Sequence, residues 1–320
     1  MITLIKTTQL TSGQLDQLEL LCQRSEKKEG FRTHFYWNAM SDRPGDFFSD
    51  FLLYINQELV ACVSLFLFEE DAVEICALTH PDHRKKGYFY RLFSEAQMEI
   101  FNLELKYCLF CCPKNSAYAK RLFERVNATY QSSEIQLIMT RECHALLGSK
   151  NKSESPEKIS LKKAQLTDAK TLAYLGSQCF STHETSELER MVQILSEKKR
   201  SAFMAIYQNK IIGKTHCIKS SQTNITLHDF CLLPEFQNQG LAMALLEKIL
   251  AHFFRYNCEN IRIHASSNQQ AALKLYKKIG FQEAETIEYW RLNISPDSES
   301  ANALDDFDMS ATSFNRHVLH

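Results

Sequence analysis

Residues 237–242 read Gln-Asn-Gln-Gly-Leu-Ala and are the stretch of the chain best suited to binding phosphate. They stand between an apolar run at 230–233, typical of a buried strand, and a segment whose apolar residues recur every four positions, typical of a helix. The first turn of a helix offers unpaired N–H groups and a partial positive charge. Gly240 and the small Ala242 would let a ligand approach the backbone. A plain strand-to-helix turn is the alternative that this motif alone leaves open.

The turn is part of an internal repeat. Residues 79–96 match residues 232–249 at an offset of 153, and residues 54–65 match residues 206–217 at an offset of 152. Such a sustained register indicates two copies of one domain of about 150 residues, an ordinary domain size.

The boundaries follow from composition. We expect a first domain at 1–147, a linker rich in Ser, Lys and Glu at 148–158, a second domain at 159–294, and an acidic, polar tail at 295–320. Each copy has an opening strand, helical segments, several strands, the glycine turn with its helix, and then strand, helix and closing strands. This order predicts an α+β domain with a mixed sheet and helices on both faces.

The second copy resembles the GNAT superfamily of N-acetyltransferases. Residues 237–242 are similar to its Q/R-x-x-G-x-G/A acyl-CoA loop, and a second signature is matched at Asn268, Ala272, Tyr276, Gly280 and Phe281. The resemblance covers about residues 1–294, and it is specific in the second copy and diluted in the first. It implies two tandem domains, each with a mostly antiparallel sheet and a splayed central strand pair.

The resemblance also implies roles for residues. Acetyl-CoA would be the co-substrate, with its pantetheine arm beside the backbone of Leu232 and Leu233 and with Asn268 near the arm or the pyrophosphate. The loop residues expected to hold the pyrophosphate are Gln237, Asn238, Gln239, Gly240, Leu241 and Ala242. Tyr276 would lie near the thioester sulfur, where its phenol could protonate the leaving thiolate.

The base that deprotonates the acceptor amine is less defined by sequence. His228 and Asp229 precede the loop, and His216 and His264 lie on neighbouring predicted strands. Because side chains alternate along a strand, we expect His228 and Asp229 to point to opposite faces, with one of them facing the cleft.

The first copy departs from the pattern at the positions that carry chemistry. Phe89 replaces the small residue of the loop, and Phe123 stands where the second copy has Tyr276. A phenylalanine has no proton to donate, so we expect the first copy to be non-catalytic. Phe89 could crowd the phosphates or point into the core.

Composition excludes several classes of protein. The 37 basic and 38 acidic residues nearly balance, which argues against a nucleic-acid or membrane-surface role. No signal-peptide pattern or apolar run of about 18 residues is present, and the 11 cysteines lie mostly in apolar settings. These features predict reduced thiols and a cytoplasmic location. Cys108 and Cys111 have metal-like spacing without a second ligand pair, so we expect no metal site.

The sequence therefore predicts an acetyl-CoA-dependent N-acetyltransferase acting on a primary amine of a small molecule or peptide by direct attack in a ternary complex. A non-catalytic acyl-CoA sensor and a tRNA-dependent aminoacyl transferase are alternatives, as is a covalent route through Cys217 or Cys231. The acceptor and the oligomeric state stay open, although Glu184, Glu187 and Glu189 could attract a cationic amine.

Overall fold

The computed structural model describes residues 1–41, 43–68, 71–148 and 159–294. Residues 149–158 of the predicted linker and the whole predicted tail lie outside the described residues. The described part of the chain divides into two compact units. No described helix has the length and apolar character needed to cross a bilayer.

The first unit comprises Met1–Ser133 and the part of the last strand from Ile287 onward. Its sheet has the order β1-β2-β3-β4-β5-β12, in which β4 and β5 are parallel and the other neighbours are antiparallel. Its elements are β1 (Ile2–Thr7), α1 (Ser12–Glu29), α2 (Trp37–Ser41), β2 (Asp50–Ile55), β3 (Glu58–Phe66), β4 (Ala72–Thr79), α3 (Tyr88–Asn102), β5 (Tyr107–Pro113), α4 (Ala117–Arg125) and β12 (Gln282–Asn293).

The second unit spans Glu134–Thr286 and has the sheet order β6-β11-β10-β9-β8-β7, in which β10 and β11 are parallel. Its elements are β6 (Thr129–Thr140), α5 (Arg141–Gly148), β7 (Ser160–Lys163), α6 (Ala169–Phe180), α7 (Glu184–Ser196), β8 (Arg200–Tyr207), β9 (Lys210–Lys219), β10 (Asn224–Leu232), α8 (Leu241–Arg255), β11 (Asn260–Ser266) and α9 (Gln270–Ile279). The mixed sheets flanked by helices confirm the predicted fold class.

The closing strands are exchanged between the two copies. β6 follows α4 in the chain, but its residues from Glu134 onward pair with β11 of the second unit. β12 follows α9, but its residues from Ile287 onward pair with β5 of the first unit. The predicted division at the linker follows chain order, whereas the compact units divide within β6 and within β12.

Two apolar layers cover the sheet of the second unit. On one face, α8 and α9 pack through residues such as Leu245, Ile249 and Leu273. On the other face, α6 and α7 pack through residues such as Leu172 and Met191. The predicted i, i+4 stripe of α8 is therefore its buried face.

Strands β10 and β11 separate before either ends. They pair over 224–227 and 260–263, while β10 continues to Leu232 and β11 to Ser266. This divergence is the predicted splayed pair, and it leaves backbone groups of both strands free to meet a ligand.

Candidate active site

The phosphate-type turn has the expected geometry in the second unit. Gly240 adopts φ +78° immediately before α8, and Asn238 adopts φ +58°. A side chain on Gly240 would meet open space, so the left-handed backbone rather than crowding favours glycine. No side chain caps the helix at Gly240, and residues 237–240 are exposed. The first N–H groups of α8 are thus open to an anion.

The amides of the turn stabilise its shape. The Nε2 of Gln237 donates to the carbonyl of Leu232 at 2.9 Å, and that of Gln239 donates to the carbonyl of Glu235 at 2.7 Å. Two of the three amides are therefore bound to backbone. Of the two predicted backbone partners for pantetheine, Leu233 already donates its N–H to Ile212 at 2.8 Å. The backbone groups of Leu232 alternate with those of Leu233 and point away from β9, and the Leu232 carbonyl is the one that accepts the Gln237 amide.

A β-bulge lies in β10 directly before this turn. The register with β9 shifts between His228, opposite His216, and Cys231, opposite Lys214. Asp229 within the bulge adopts φ +49°, and the hydroxyl of Thr215 donates to the carbonyl of His228 at 2.9 Å. The bulge therefore inserts one extra residue, and the Thr215 hydroxyl binds the carbonyl just before it.

The bulge overturns the expectation that His228 and Asp229 point to opposite faces. The rings of His228 and His216 stack with centroids 5.1 Å apart, and Oδ2 of Asp229 lies 3.3 Å from Nδ1 of the same His216. Both side chains thus contact one residue, because the bulge breaks the strand alternation.

Asp229 belongs to a network of ion pairs that reaches into the core. Arg190 of α7 lies 2.5 Å from Asp229 and 2.8 Å from Glu187, and Glu187 lies 3.1 Å from the buried Lys214. Burial alone would raise the pKa of Asp229, but His216 and Arg190 outweigh it and hold that pKa well below its usual range. A carboxylate this stable is a poor proton acceptor, which favours a positioning role for Asp229.

Three imidazoles cross the sheet in a row. His228 stacks between His216 at 5.1 Å and His264 at 6.3 Å, with ring planes within 13° of parallel. His264 is held by Glu134 at 2.6 Å. Burial, followed by the neighbouring His216 and His264, lowers the pKa of His228 to about 4. His228 is therefore neutral at neutral pH, and in this environment its imidazole is a weaker base than a histidine in water.

Tyr276 lies on the opposite, apolar face. Its ring packs against Phe230 and Phe281 with centroids 6.2 Å and 6.0 Å away, and the residue is 4% exposed. Burial, with a smaller effect from Cys231, raises the pKa of Tyr276. The phenol therefore stays protonated at neutral pH and has a proton to donate. Asn268 is exposed just before α9, with its backbone N–H donating to Ser266.

The cysteines suggested by sequence for a covalent route, Cys217 and Cys231, are poorly suited to it, and Cys108 and Cys111 are poorly placed to share a metal. Burial raises the pKa of Cys217 to about 11, and contact with Cys179 together with burial raises that of Cys231. Thiols in this state are weak nucleophiles. Cys108 and Cys111 pack into different apolar clusters on the two faces of β5, so they cannot share one ion.

The other predicted acidic residues divide by exposure. Glu187 is 6% exposed and fully engaged with Arg190 and Lys214, whereas Glu184 and Glu189 are exposed. Arg190 and Lys214 were not recognisable as site residues from sequence, because nothing in their spacing links α7 and β9 to β10.

The first unit repeats the turn but not the side chains predicted to transfer protons. Lys85 and Gly87 have φ values of +61° and +75° at the positions of Asn238 and Gly240. Phe89 stacks on Phe93 at 5.5 Å, so it points into the core. β4 pairs with β3 without a register shift. The difference in residue number between matching positions of the two copies rises from 152 to 153 between these two strands. The second copy therefore has one extra residue here, and it is the residue inserted at the bulge.

The three imidazoles of the second copy have no counterpart in the first copy. Strand pairing places Ser64 opposite Cys76, at the positions where the second unit has His216 opposite His228. Cys111, at the position of His264, lies beside Cys76. The tyrosine position holds Phe123, stacked on Phe110 at 4.8 Å.

Comparison with known proteins agrees with this geometry. The model of the acetyltransferase (GNAT) family matches residues 13–128 and 169–281. The chain therefore belongs to the GNAT family of acetyltransferases, with one match in each copy.

Relatives by sequence are distant. Uncharacterized N-acetyltransferases of Mycobacterium bovis and Mycobacterium tuberculosis are 26% identical over 93 residues, which is 29% of this chain and 60% of each relative. An aminoglycoside N(6')-acetyltransferase type 1 of Acinetobacter baumannii is 23% identical over 147 residues, which is 42% of this chain and 97% of the relative.

Two solved structures share the fold over most of the chain. A GCN5-related N-acetyltransferase from Sphaerobacter thermophilus has a TM-score of 0.75 at 13% identity, covering 92% of this chain and 96% of its own. A tandem GNAT protein from the clavulanic acid biosynthesis pathway has a TM-score of 0.72 at 11% identity, covering 93% and 100%. The tandem arrangement predicted from the repeat thus has a counterpart in a known structure.

Proposed function

We propose that the second unit transfers an acetyl group from acetyl-CoA to a primary amine of a small molecule or peptide. The observation that carries the proposal is the meeting of an open phosphate-type turn, a bulged strand and a protonated Tyr276 in one unit. The thioester supplies the activated acetyl group. The first turn of α8 would bind the pyrophosphate, and the freed edge of β10 at Leu232 would align the pantetheine arm.

Two residues would move protons in a direct transfer. The neutral imidazole of His228 would accept the proton of the attacking amine, and the phenol of Tyr276 would protonate the departing thiolate. Asp229 and Arg190 would position this pair, because they fix His216 against the ring of His228. The raised pKa values of Cys217 and Cys231 support direct attack over a covalent thiol intermediate.

The charge around the bulge bears on the acceptor. Glu187 and Asp229, in the ion-pair network beside the bulge, are balanced by Lys214 and Arg190. A network whose charges cancel gives no surplus attraction for a polycation. We therefore propose an acceptor with a single amine or a small net charge. All eleven cysteines are free, which supports a reducing, cytoplasmic setting.

The test is the rate of CoA release with a panel of amines, measured with a thiol reagent. Tyr276→Phe keeps the ring packing and removes one hydroxyl, so kcat should fall by about 10²–10⁴-fold. The matched control is Phe123→Leu at the equivalent position of the first unit, which should leave kcat within about twofold of the wild type. Equal rates for Tyr276→Phe and the wild type would refute the assignment of Tyr276. A stoichiometric burst of CoA release in the absence of any amine would refute direct transfer.

A further inference from the structure

Two thiols of the second unit, those of Cys179 and Cys231, meet between α6 and β10. Cys231 stands opposite Lys214 in the pairing of β10 with β9. Gly176 of α6 lies over that lysine, because a β-carbon added to Gly176 would be 2.6 Å from its Nζ. Cys179 follows Gly176 by three residues and is on the same side of the helix, where its thiol contacts that of Cys231. The contact joins a helix to the strand that carries the bulge.

The surroundings of the two sulfurs favour a thiolate at Cys179 and a thiol at Cys231. The Cys231 S–H donates to the Cys179 sulfur, and the buried Lys214 lies near both residues. The hydrogen bond from Cys231, together with the charge of Lys214, outweighs burial and lowers the pKa of Cys179. The same hydrogen bond, with burial, raises the pKa of Cys231. Since the thiolate is the nucleophilic form of cysteine, Cys179 is the nucleophile of the pair.

Exposure also favours Cys179 as the first sulfur to react. Cys179 is half-buried and is the residue before the last of α6, whereas Cys231 is 8% exposed within the sheet. A small oxidant can therefore reach the Cys179 sulfur from solvent, with the Cys231 thiol adjacent to it. An accessible thiolate beside a second thiol is the arrangement of an attacking and a resolving cysteine.

The first unit contains a thiol pair with the opposite electrostatic setting. Cys76 and Cys111 are neighbours on the parallel strands β4 and β5, and their side chains are hydrogen-bonded. Both residues are buried, and the Cys111 thiol donates to the carboxylate of Glu74 at 3.7 Å. Burial, followed by Cys76 and Glu74, raises the pKa of Cys111. Contact between two thiols is thus present in both units, but the neighbouring charge is negative in the first unit and positive in the second.

We propose that Cys179 and Cys231 form a modification site at which hydrogen peroxide closes a disulfide between α6 and β10. The Cys179 thiolate attacks one peroxide oxygen, the O–O bond breaks, and a sulfenic acid and one water result. The Cys231 sulfur then attacks the Cys179 sulfur, the S–S bond forms as the S–O bond breaks, and a second water leaves. The two thiols lose two electrons and two protons in total, and one peroxide is reduced to two waters.

The disulfide would act on the proposed transfer site through the backbone of β10. Cys231 follows the bulge and directly precedes Leu232, so the new bond ties this stretch to α6. Displacing groups that position a substrate by about 1 Å can cost about 10²-fold in rate. We therefore expect kcat to fall at least about tenfold on oxidation and to recover on reduction. This effect on kcat rests on the proposed function, whereas the closing of the disulfide does not.

The chemical test treats the reduced full chain with a series of hydrogen peroxide concentrations, blocks the remaining thiols and maps linked peptides by mass spectrometry without reduction. The Cys179–Cys231 link should appear at the lowest effective concentration, while Cys76 and Cys111 stay reduced. In Cys231→Ser the resolving thiol is gone, so the sulfenic acid should persist on Cys179 and be trapped there by dimedone. Cys143, which is also half-buried, should stay unlabelled under the same conditions.

The activity test measures kcat after the peroxide has been removed. Cys179→Ser should keep the kcat of the reduced wild type and lose its sensitivity to peroxide. The matched control is Cys76→Ala, which removes a thiol from the pair of the first unit and should be inhibited by peroxide as the wild type is.

Definite outcomes would overturn the proposal. These are the absence of a Cys179–Cys231 link, a Cys76–Cys111 link at an equal or lower peroxide concentration, and dimedone on Cys143 in place of Cys179. Peroxide inhibition that persists in Cys179→Ser would overturn the effect on kcat. An unchanged kcat in Tyr276→Phe would refute the proposed function, and the peptide map would still decide whether the disulfide forms.

Discussion

Gly176 in α6 offers a test in which two physical effects have opposite signs. A β-carbon added there would lie 2.2 Å from Oε2 of Glu187 and 2.6 Å from Nζ of Lys214. Both distances are well below normal contact, so Gly176→Ala must displace the buried Glu187–Lys214 pair. Where this displacement separates the pair, it leaves the buried Lys214 without its carboxylate partner, which costs up to about 3–5 kcal/mol. Alanine gains about 1 kcal/mol over glycine within a helix.

The expected net result is a loss of about 2–4 kcal/mol in the free energy of unfolding of the second unit. Equilibrium urea denaturation followed by far-ultraviolet circular dichroism measures it. Both tryptophans, Trp37 and Trp290, belong to the first unit, so fluorescence reports that unit separately. The matched control is Gly13→Ala in α1, where the added carbon meets nothing within 4 Å and helix propensity acts alone.

A stabilised Gly176→Ala would refute this reasoning, because it would mean that helix propensity outweighs the ion pair. Repeating the substitution in the background of Lys214→Met and Glu187→Leu provides an internal check. With both charges gone, the penalty for an unpaired buried charge should disappear, and the cost of Gly176→Ala should fall by at least about 2 kcal/mol.

Three further predictions concern the bulge. His228→Gln should reduce the fall in Tm between pH 7 and pH 4.5. The histidine of the unfolded chain takes up a proton near pH 6.5, about as in model peptides, whereas His228 in the folded protein does so only near pH 4. Between these two values the unfolded chain binds more protons, so acid favours unfolding of the wild type. Asp229→Asn should lower Tm at pH 7, with the difference shrinking below about pH 4, since a depressed carboxyl pKa stabilises the fold only above its unfolded value; a constant difference would contradict the ion pairing. Gly213→Ala should lower both Tm and kcat, because the added β-carbon would lie 2.3 Å from the carbonyl oxygen of Cys231. Ala61 occupies the matching position in the first unit, where the strand has no bulge. The control Ala61→Gly should therefore leave kcat unchanged.

Several features of the site were recoverable from sequence because they depend on local rules. The turn at 237–242 follows from a strand, a glycine and an amphipathic helix in succession, and the positive φ of Gly240 is what such a turn requires. The repeat placed Phe123 opposite Tyr276 without any structure. The bulge is also visible in the sequence, because the offset between matching residues of the two copies changes from 152 to 153.

The orientation of His228 and Asp229 was predicted wrongly for a definable reason. Strict alternation holds only in a regular strand, and a change of offset does not reveal which residue is the inserted one. Pairing with β9 locates it, since His228 stays opposite His216 while Cys231 moves opposite Lys214.

The sequence by itself determined the double domain, the family motifs, the glycine turns and the asymmetry between tyrosine and phenylalanine. These are properties of residue types at fixed spacings along the chain. Tertiary structure alone decided the exchange of the closing strands, since β6 and β12 have similar patterns and either could pair with β5 or with β11. It also decided the ion-pair network from Arg190 to Lys214 and the contact between Cys179 and Cys231. Contacts between distant segments depend on how the sheet assembles, and no local pattern encodes that choice.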